Sequence, residues 1–239
     1  KIFFKKSKIN VYQNIFDFKK KYKNKLDYVM CSITGISGLE STLEIIQITK
    51  RIAIANKESI ICGWNLIKDK LKKYNTEFIP VDSEHFSIFE LIKNERSHNI
   101  KKIYITASGG PFLKTNKSKL KNFVPKNAIK HPNWKMGKKI SVDSSTLINK
   151  VYELIEAKKI FNLDYTKFEI IVEPTSYVHA IVEFKNGTCK ILTHPTSMKI
   201  PIYNSLSFND KILKLSESLD FKKINDLSFQ KIDKVKFPV

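Results

Sequence analysis

Between residues 27 and 81, short apolar runs alternate with longer stretches of helical period, and this alternation limits the fold more than any other feature. "DYVMCSITG" (27–35), "RIAIAN" (51–56) and "EFIPV" (77–81) read as strands. "GLESTLEIIQITK" (38–50) has apolar residues at 39, 43, 45, 46 and 48. "SIICGWNLIKDKLKKYN" (59–75) has them at 60, 61, 64, 67 and 71. Both spacings are those of one helical face. Strands joined through helices pair in parallel by right-handed crossovers. The order predicts an α/β domain.

The rest of the chain reads differently. "KKIYITASGGPF" (101–112) is a strand entering a glycine pair, and "KISVDSSTLINKVYELIEAKKIF" (139–161) reads as a strand end followed by a long helix. "FEIIVEP", "SYVHAIVEF" and "TCKILTHP" read as strands, the last two joined through "KNG" (185–187), an Asn-Gly turn signal. The second half is therefore expected to be α+β. A complete dinucleotide-binding domain opens with a strand and G-x-G-x-x-G. Here "TGISG" supplies only Gly35 and Gly38 and the sequence begins at Lys1, so the first half reads as the later strands of such a domain without its opening unit.

Composition removes several classes. With 42% apolar and 28% charged residues in 239, a folded core is expected rather than disorder. No window has the eighteen or so apolar residues of a membrane span, and "KIFFKKSKIN" is too short in its apolar part for a secretory signal. Cys31, Cys62 and Cys189 are scattered and odd in number, which argues for a reducing compartment over a disulfide framework. The formal charge of +20 raises nucleic-acid binding as a reading. Yet the lysines are spread along the chain, and no helix-turn-helix, zinc-finger or RNP-like segment accompanies them. No specific nucleic-acid partner and no membrane are expected. A general attraction for small anions remains.

Several segments carry chemistry. Asp82, Ser83, Glu84 and His85 stand where a strand gives way to a helical pattern. They read either as an acidic helix cap or as a metal site with oxygen ligands at i and i+2. In "SVDSSTLINKVYELIE" (141–156), Ser144 and Ser145 occupy an expected N-cap whose amides would take a phosphate. Asn149 and Glu153 share a helical face beside Lys150, although a capped helix with a solvated polar face has the same pattern. Ser108 precedes two glycines, which either let backbone approach a ligand or form a plain tight turn. "KHPNWKMGKK" (130–139) sets His131, Trp134 and Met136 among charges, as a ligand-covering lid or a satellite apolar cluster would. Asn56, Lys57 and Glu58 end a strand, where open α/β sheets bind ligands. His179 lies within an alternating strand, more in the manner of a core or surface histidine than of a catalytic one.

In order and spacing, "ANKES…CG", "PVDSEH", "SGGPF", "HPNWKMGKKISVDSST", "NKVYELIEA" and "VHAIVEF" resemble the 1-deoxy-D-xylulose 5-phosphate reductoisomerase family, from about residue 27 to the end. The resemblance implies that Asp82, Glu84 and Glu153 are divalent-cation ligands, a hard oxygen set suited to Mg²⁺ or Mn²⁺. It implies that Ser83, Lys57, His131 and Trp134 contact the substrate and that Ser108, Ser144, Asn149 and Lys150 hold its phosphate. NADPH would lie near Asn56, Lys57, Glu58, Met136, Gly137 and Met198. Lys57, Glu84, His85, His131 and His179 make up the implied catalytic set, and 130–138 the lid, mobile without substrate. The implied reaction joins a metal-assisted rearrangement of a ketose phosphate to hydride transfer from NADPH, giving 2-C-methyl-D-erythritol 4-phosphate for isoprenoid precursors.

On this resemblance, 1–81 is a truncated Rossmann-type NADPH-binding domain and 82–208 an α+β catalytic domain. Residues 209–239 are a linker toward a helical domain that the sequence lacks. A homodimer through the strands of 176–195 is implied, in a bacterial cytoplasm or a plastid-type organelle. Two segments depart from the family pattern: Glu173 stands where histidine is usual, and "THPTSMKIP" (193–201) replaces an acidic E-P-D-M run. The rival readings are a metal- and phosphosugar-binding fragment that does not turn over, and a basic nucleic-acid binder.

Overall fold

The computed structural model describes residues 9–22, 24–134, 136–207 and 216–238. It divides into two compact units, the first ending at Ile79 and the second beginning at Pro80.

The first unit runs α1 (Ile15–Lys21), β1 (Val29–Cys31), α2 (Gly38–Ile46), β2 (Arg51–Ile54), α3 (Lys57–Tyr74) and β3 (Glu77–Pro80). The strands lie in the order β1-β2-β3, and β1 pairs with β2 in parallel, Met30 opposite Ala53. Ile52, Ala53 and Ile54 of the central strand are buried, as are Ile45 and Ile46 of α2 and Ile60, Trp64 and Ile67 of α3. The apolar spacing of both helices thus marks the faces that are buried. Asn56 caps α3, its Oδ1 accepting the Ser59 N–H at 2.8 Å, and Asn75 closes the helix in the left-handed region that asparagine tolerates.

The second unit continues with α4 (Ser83–Ile92), β4 (Ile100–Ala107), the single turns α5 (Lys117–Leu120) and α6 (Pro125–Ala128), α7 (Lys138–Ser145) and α8 (Ile148–Phe161). β5 (Phe168–Val172), β6 (Val178–Phe184), β7 (Cys189–Thr193), α9 (Lys199–Leu206), α10 (Phe221–Asn225) and β8 (Gln230–Lys231) complete it. Its sheet is mixed, in the order β7-β6-β4-β5-β8: β4 and β5 are parallel and the other pairs antiparallel. One core forms where Ile88 of α4 and Ala157 of α8 meet Ile103, Ile105, Phe168, Ala180 and Val182 of the sheet. Both site-bearing helices are therefore anchored on one sheet face. The "KNG" signal is realised as the β6–β7 hairpin, with Gly187 at φ +86° and Asn186 Oδ1 accepting the Thr188 N–H.

Residues 138–147 correct the sequence reading. The expected strand end at "KISVD" is the helix α7. Only Ile140 and Val142 alternate there, whereas Lys139 and Asp143 pair at 2.8 Å with helical i,i+4 spacing. Ser144 and Ser145 thus end α7 and do not cap α8. Leu147, at φ +63°, occupies the N-cap of α8 and makes no side-chain cap bond.

Candidate metal and phosphate site

Asp82 and Glu84 are positioned by the start of α4. Asp82 is its N-cap, Oδ1 accepting the Glu84 N–H at 3.3 Å, so the capping reading is realised. The metal geometry is present as well. Carboxylate oxygens of Asp82, Glu84 and Glu153, the last from α8, lie within 4.8 Å of one another. Among the described residues this is the one group of three such side chains so gathered. Mg²⁺ binds oxygen at about 2.0–2.1 Å, so two ligands of one ion sit roughly 3–4 Å apart and little closure is needed.

A lysine ammonium marks where positive charge is wanted. Lys150 Nζ donates to Glu84 Oε1 and, at 2.7 Å, to Glu153 Oε2, and Lys150 is buried. Burial alone would raise the Glu84 carboxyl, but Lys150 outweighs it and holds that pKa well below the carboxylate range. Burial would likewise lower the ammonium, and Glu153 and Glu84 reverse this, so Lys150 stays charged. Ser83 Oγ donates to Glu84 Oε2 at 2.5 Å, and Asn149 Nδ2 donates to Glu153 Oε1. His85 Nε2 donates to the Glu153 carbonyl at 2.8 Å, with Nδ1 3.6 Å from Asp82 Oδ1. His85 thereby ties the first turn of α4 to the helix that carries the third carboxylate.

A polar cluster surrounds the turn after β4. His131 Nε2 lies 2.9 Å from Ser108 Oγ, which also accepts the Gly110 N–H at 3.1 Å. Gly110 is at φ +64°, and a Cβ there would lie 2.6 Å from the Ser144 carbonyl oxygen. Glycine is what lets this turn lie against the end of α7. Asn133 Nδ2 donates to Pro174 O at 2.7 Å and Ser176 Oγ at 2.8 Å, fixing the 130–138 loop near its base. Trp134 is half-buried, its ring edge-on to His179 at 6.0 Å. Met136 is half-buried, Gly137 caps α7, and Met198 precedes α9 with its side chain exposed. Lys135 lies outside the described residues.

Asn56, Lys57 and Glu58 stand at the start of α3 in the first unit. The buried Asn56 has structural partners: Nδ2 donates to the carbonyls of Ile33 and, at 2.7 Å, Gly35.

Sequence reasoning missed His194. It is buried and stacks on His179 with ring centroids 3.6 Å apart, and His179 Nε2 donates to its carbonyl at 3.0 Å. His194 Nδ1 donates to Pro195 O at 2.7 Å, which leaves Nε2 a lone-pair acceptor without a hydrogen-bond partner. Glu173, in the other divergent segment, is fully buried and accepts the N–H groups of Thr175, Tyr177 and Val178. The signal available in the sequence was that both residues are ionisable and sit at the ends of apolar strands.

Residues 5–63 match a sequence model of 1-deoxy-D-xylulose 5-phosphate reductoisomerase, and residues 78–161 match one of that enzyme's C-terminal domain. Together they cover more than half of the chain. The chain belongs to the 1-deoxy-D-xylulose 5-phosphate reductoisomerase family. The reductoisomerase of Pelagibacter ubique is 58% identical over 238 residues, which are 98% of this chain and 61% of that protein. The Wolbachia pipientis enzyme is 45% identical over 89% of this chain and 55% of its own length. The chain therefore spans little more than half the length of these relatives.

Solved reductoisomerases share the fold. The Zymomonas mobilis enzyme in complex with NADPH superposes with a TM-score of 0.79 at 38% identity, covering 89% of this chain and 55% of that one. A reductoisomerase in complex with NADPH, fosmidomycin and magnesium gives 0.83 at 34%, covering 94% and 57%. The expected class is confirmed: a mixed α/β chain whose architecture is that of the reductoisomerases.

Proposed function

We propose that this chain carries the cation- and phosphosugar-binding part of an NADPH-dependent reductoisomerase that converts 1-deoxy-D-xylulose 5-phosphate to 2-C-methyl-D-erythritol 4-phosphate. The convergence of Asp82, Glu84 and Glu153, with the Lys150 ammonium bonded to Glu84 and Glu153, is the observation that carries this reading. These carboxylates would hold Mg²⁺ or Mn²⁺. When bound, the cation supplies Lewis acidity toward the ketose oxygens, and NADPH supplies the hydride.

The chain's own groups do the rest. Ser83, fixed on Glu84, presents its oxygen to the substrate. Ser108, Ser144, Asn149 and Lys150 supply hydroxyl, amide and ammonium donors to the phosphate. Neutral His131 orients Ser108, and His85 holds the two carboxylate-bearing helices in register. Trp134, poised edge-on to His179, acts as the apolar cover of a lid over 130–138 and excludes water from the reacting carbons. The cofactor roles of Asn56, Lys57, Glu58, Met136, Gly137 and Met198 rest on family resemblance.

In this reading 1–81 belongs to the NADPH-binding domain and 82–208 is the catalytic domain; the 209–239 segment, expected as a linker, contributes β8 to that domain's sheet and Phe237 to its core. A second copy would cover the outer sheet face of the second unit, where Tyr104, Ile171, Ile181 and Phe229 line an open groove. A cytoplasmic or plastid-type compartment follows from the same reading. No helix among the described residues is long and apolar enough to cross a membrane.

The test is NADPH oxidation by the full chain supplied with 1-deoxy-D-xylulose 5-phosphate and Mg²⁺. Activity abolished by chelation and by Glu153→Gln supports the reading. Binding of metal and phosphosugar without oxidation identifies a binding module instead.

A further inference from the structure

Lys150 occupies oxygens that a divalent cation would need. Its ammonium bonds Glu84 Oε1 and Glu153 Oε2, two of the three clustered carboxylates, and both Lys150 and Glu153 are buried. In a buried site an ammonium and a divalent ion at ligand distance repel strongly. The two compete for these oxygens, and each weakens the other's hold on them. The lysine stem has four rotatable bonds, and the only displacement it needs is of its tip. Lys150 stands in the first turn of α8, and the end of α7 just before it lies against the Ser108–Gly110 turn, where a Cβ on Gly110 would sit 2.6 Å from the Ser144 carbonyl oxygen.

We propose that Lys150 is an exchangeable counter-ion: it neutralises Glu84 and Glu153 until a divalent cation takes them, and the released ammonium then binds the substrate phosphate. This rests on the metal and phosphate reading above and adds a consequence. Cation and phosphate must bind with positive coupling, each tightening the other by the same factor, because the cation frees the phosphate's partner. Phosphate in turn holds Lys150 away from the carboxylates. The buried lysine orders the two ligands without any movement of the helices.

The experiment is Mn²⁺ titration of the full chain, followed by the electron paramagnetic resonance of free Mn²⁺, with and without saturating inorganic phosphate. Wild type, Lys150→Met and Glu153→Gln are compared, with correction for Mn²⁺–phosphate complexes in solution. Exchange predicts that phosphate tightens Mn²⁺ about fivefold or more in wild type. In Lys150→Met, Mn²⁺ should bind more tightly than in wild type without phosphate, and phosphate should change its affinity less than about twofold. Equal coupling in both proteins would mean direct contact between metal and phosphate and would overturn the exchange alone. Absence of Mn²⁺ binding in wild type, or unchanged binding in Glu153→Gln, would overturn the site reading as well. If Lys150→Met does not fold, Lys150→Gln takes its place. The wild type can also be titrated with sulfate, a weak metal ligand: tightening by sulfate supports exchange, and its absence overturns it.

Discussion

His131 donates from Nε2 to Ser108 Oγ across 2.9 Å, while its Nδ1 accepts the N–H groups of Asn133 and Trp134 at 3.1 and 3.0 Å. A ring whose Nδ1 accepts two amides carries its proton on Nε2 and has no place for a second. Burial, reinforced by Lys150, pushes its pKa down to about 4. Ser108 Oγ accepts from His131 and from the Gly110 N–H, so its own hydrogen is left to donate to a ligand.

Ser108→Ala should accordingly weaken substrate binding more than turnover. A hydrogen bond to a charged group contributes about 1.5–3 kcal/mol, so KM should rise about tenfold or more with kcat changed little. Steady-state kinetics in the full chain would show this. A fall in kcat at constant KM would place Ser108 outside the phosphate set.

Leu147 holds a left-handed backbone with its side chain 1% exposed, packed with Ala107 and Phe237. The backbone conformation costs roughly 1–2 kcal/mol for a residue with a Cβ, whereas truncating a buried leucine costs about 2–5 kcal/mol. Packing wins, so both Leu147→Ala and Leu147→Gly should destabilise. Glycine relieves the backbone term and should be the milder change by about 1 kcal/mol, measured by urea denaturation.

Acid should destabilise the second unit through its histidines. Burial, then the adjacent His194, lowers His179 from 6.5 to about 4, while Glu84 opposes the shift. His194 is lowered by burial too. A depressed histidine means that the unfolded chain binds protons that the folded chain refuses. Its contribution is complete above pH 6.5 and lost as pH falls toward 4. For His179 alone the loss at pH 5 is about 2 kcal/mol. Denaturation midpoints at pH 7.5 and 5.0 should differ less in a His179→Gln, His194→Gln double variant than in wild type.

Much of this was legible in the sequence because periodicity reports burial. The β1-to-β3 alternation, the β6–β7 hairpin and the apolar face of α3 all follow from which side chains must leave water. The α7–α8 junction was not legible. Its break is a leucine in a glycine-like conformation, held by long-range packing on Ala107 and Phe237, and nothing local in "SSTLIN" encodes it. The three carboxylates could be suspected from residue types. That α8 brings Glu153 to Asp82 and Glu84 depends on both helices seating on one sheet face, which no local spacing reveals. His194 escaped for the same reason: it stacks on His179 just past β7, where the β6–β7 register shifts between Val178 and Ala180 and the His194 N–H bonds the Tyr177 carbonyl.

The central claim is that Asp82, Glu84 and Glu153 form one divalent-cation site, and counting bound Mn²⁺ tests it most directly. Equilibrium dialysis of the full chain should find one Mn²⁺ per chain. Asp82→Asn, Glu84→Gln and Glu153→Gln should each weaken it by tenfold or more, on the order of 1.4 kcal/mol, without loss of folded structure. A wild type that binds no Mn²⁺, or three variants that all bind it as tightly as wild type, would contradict the account.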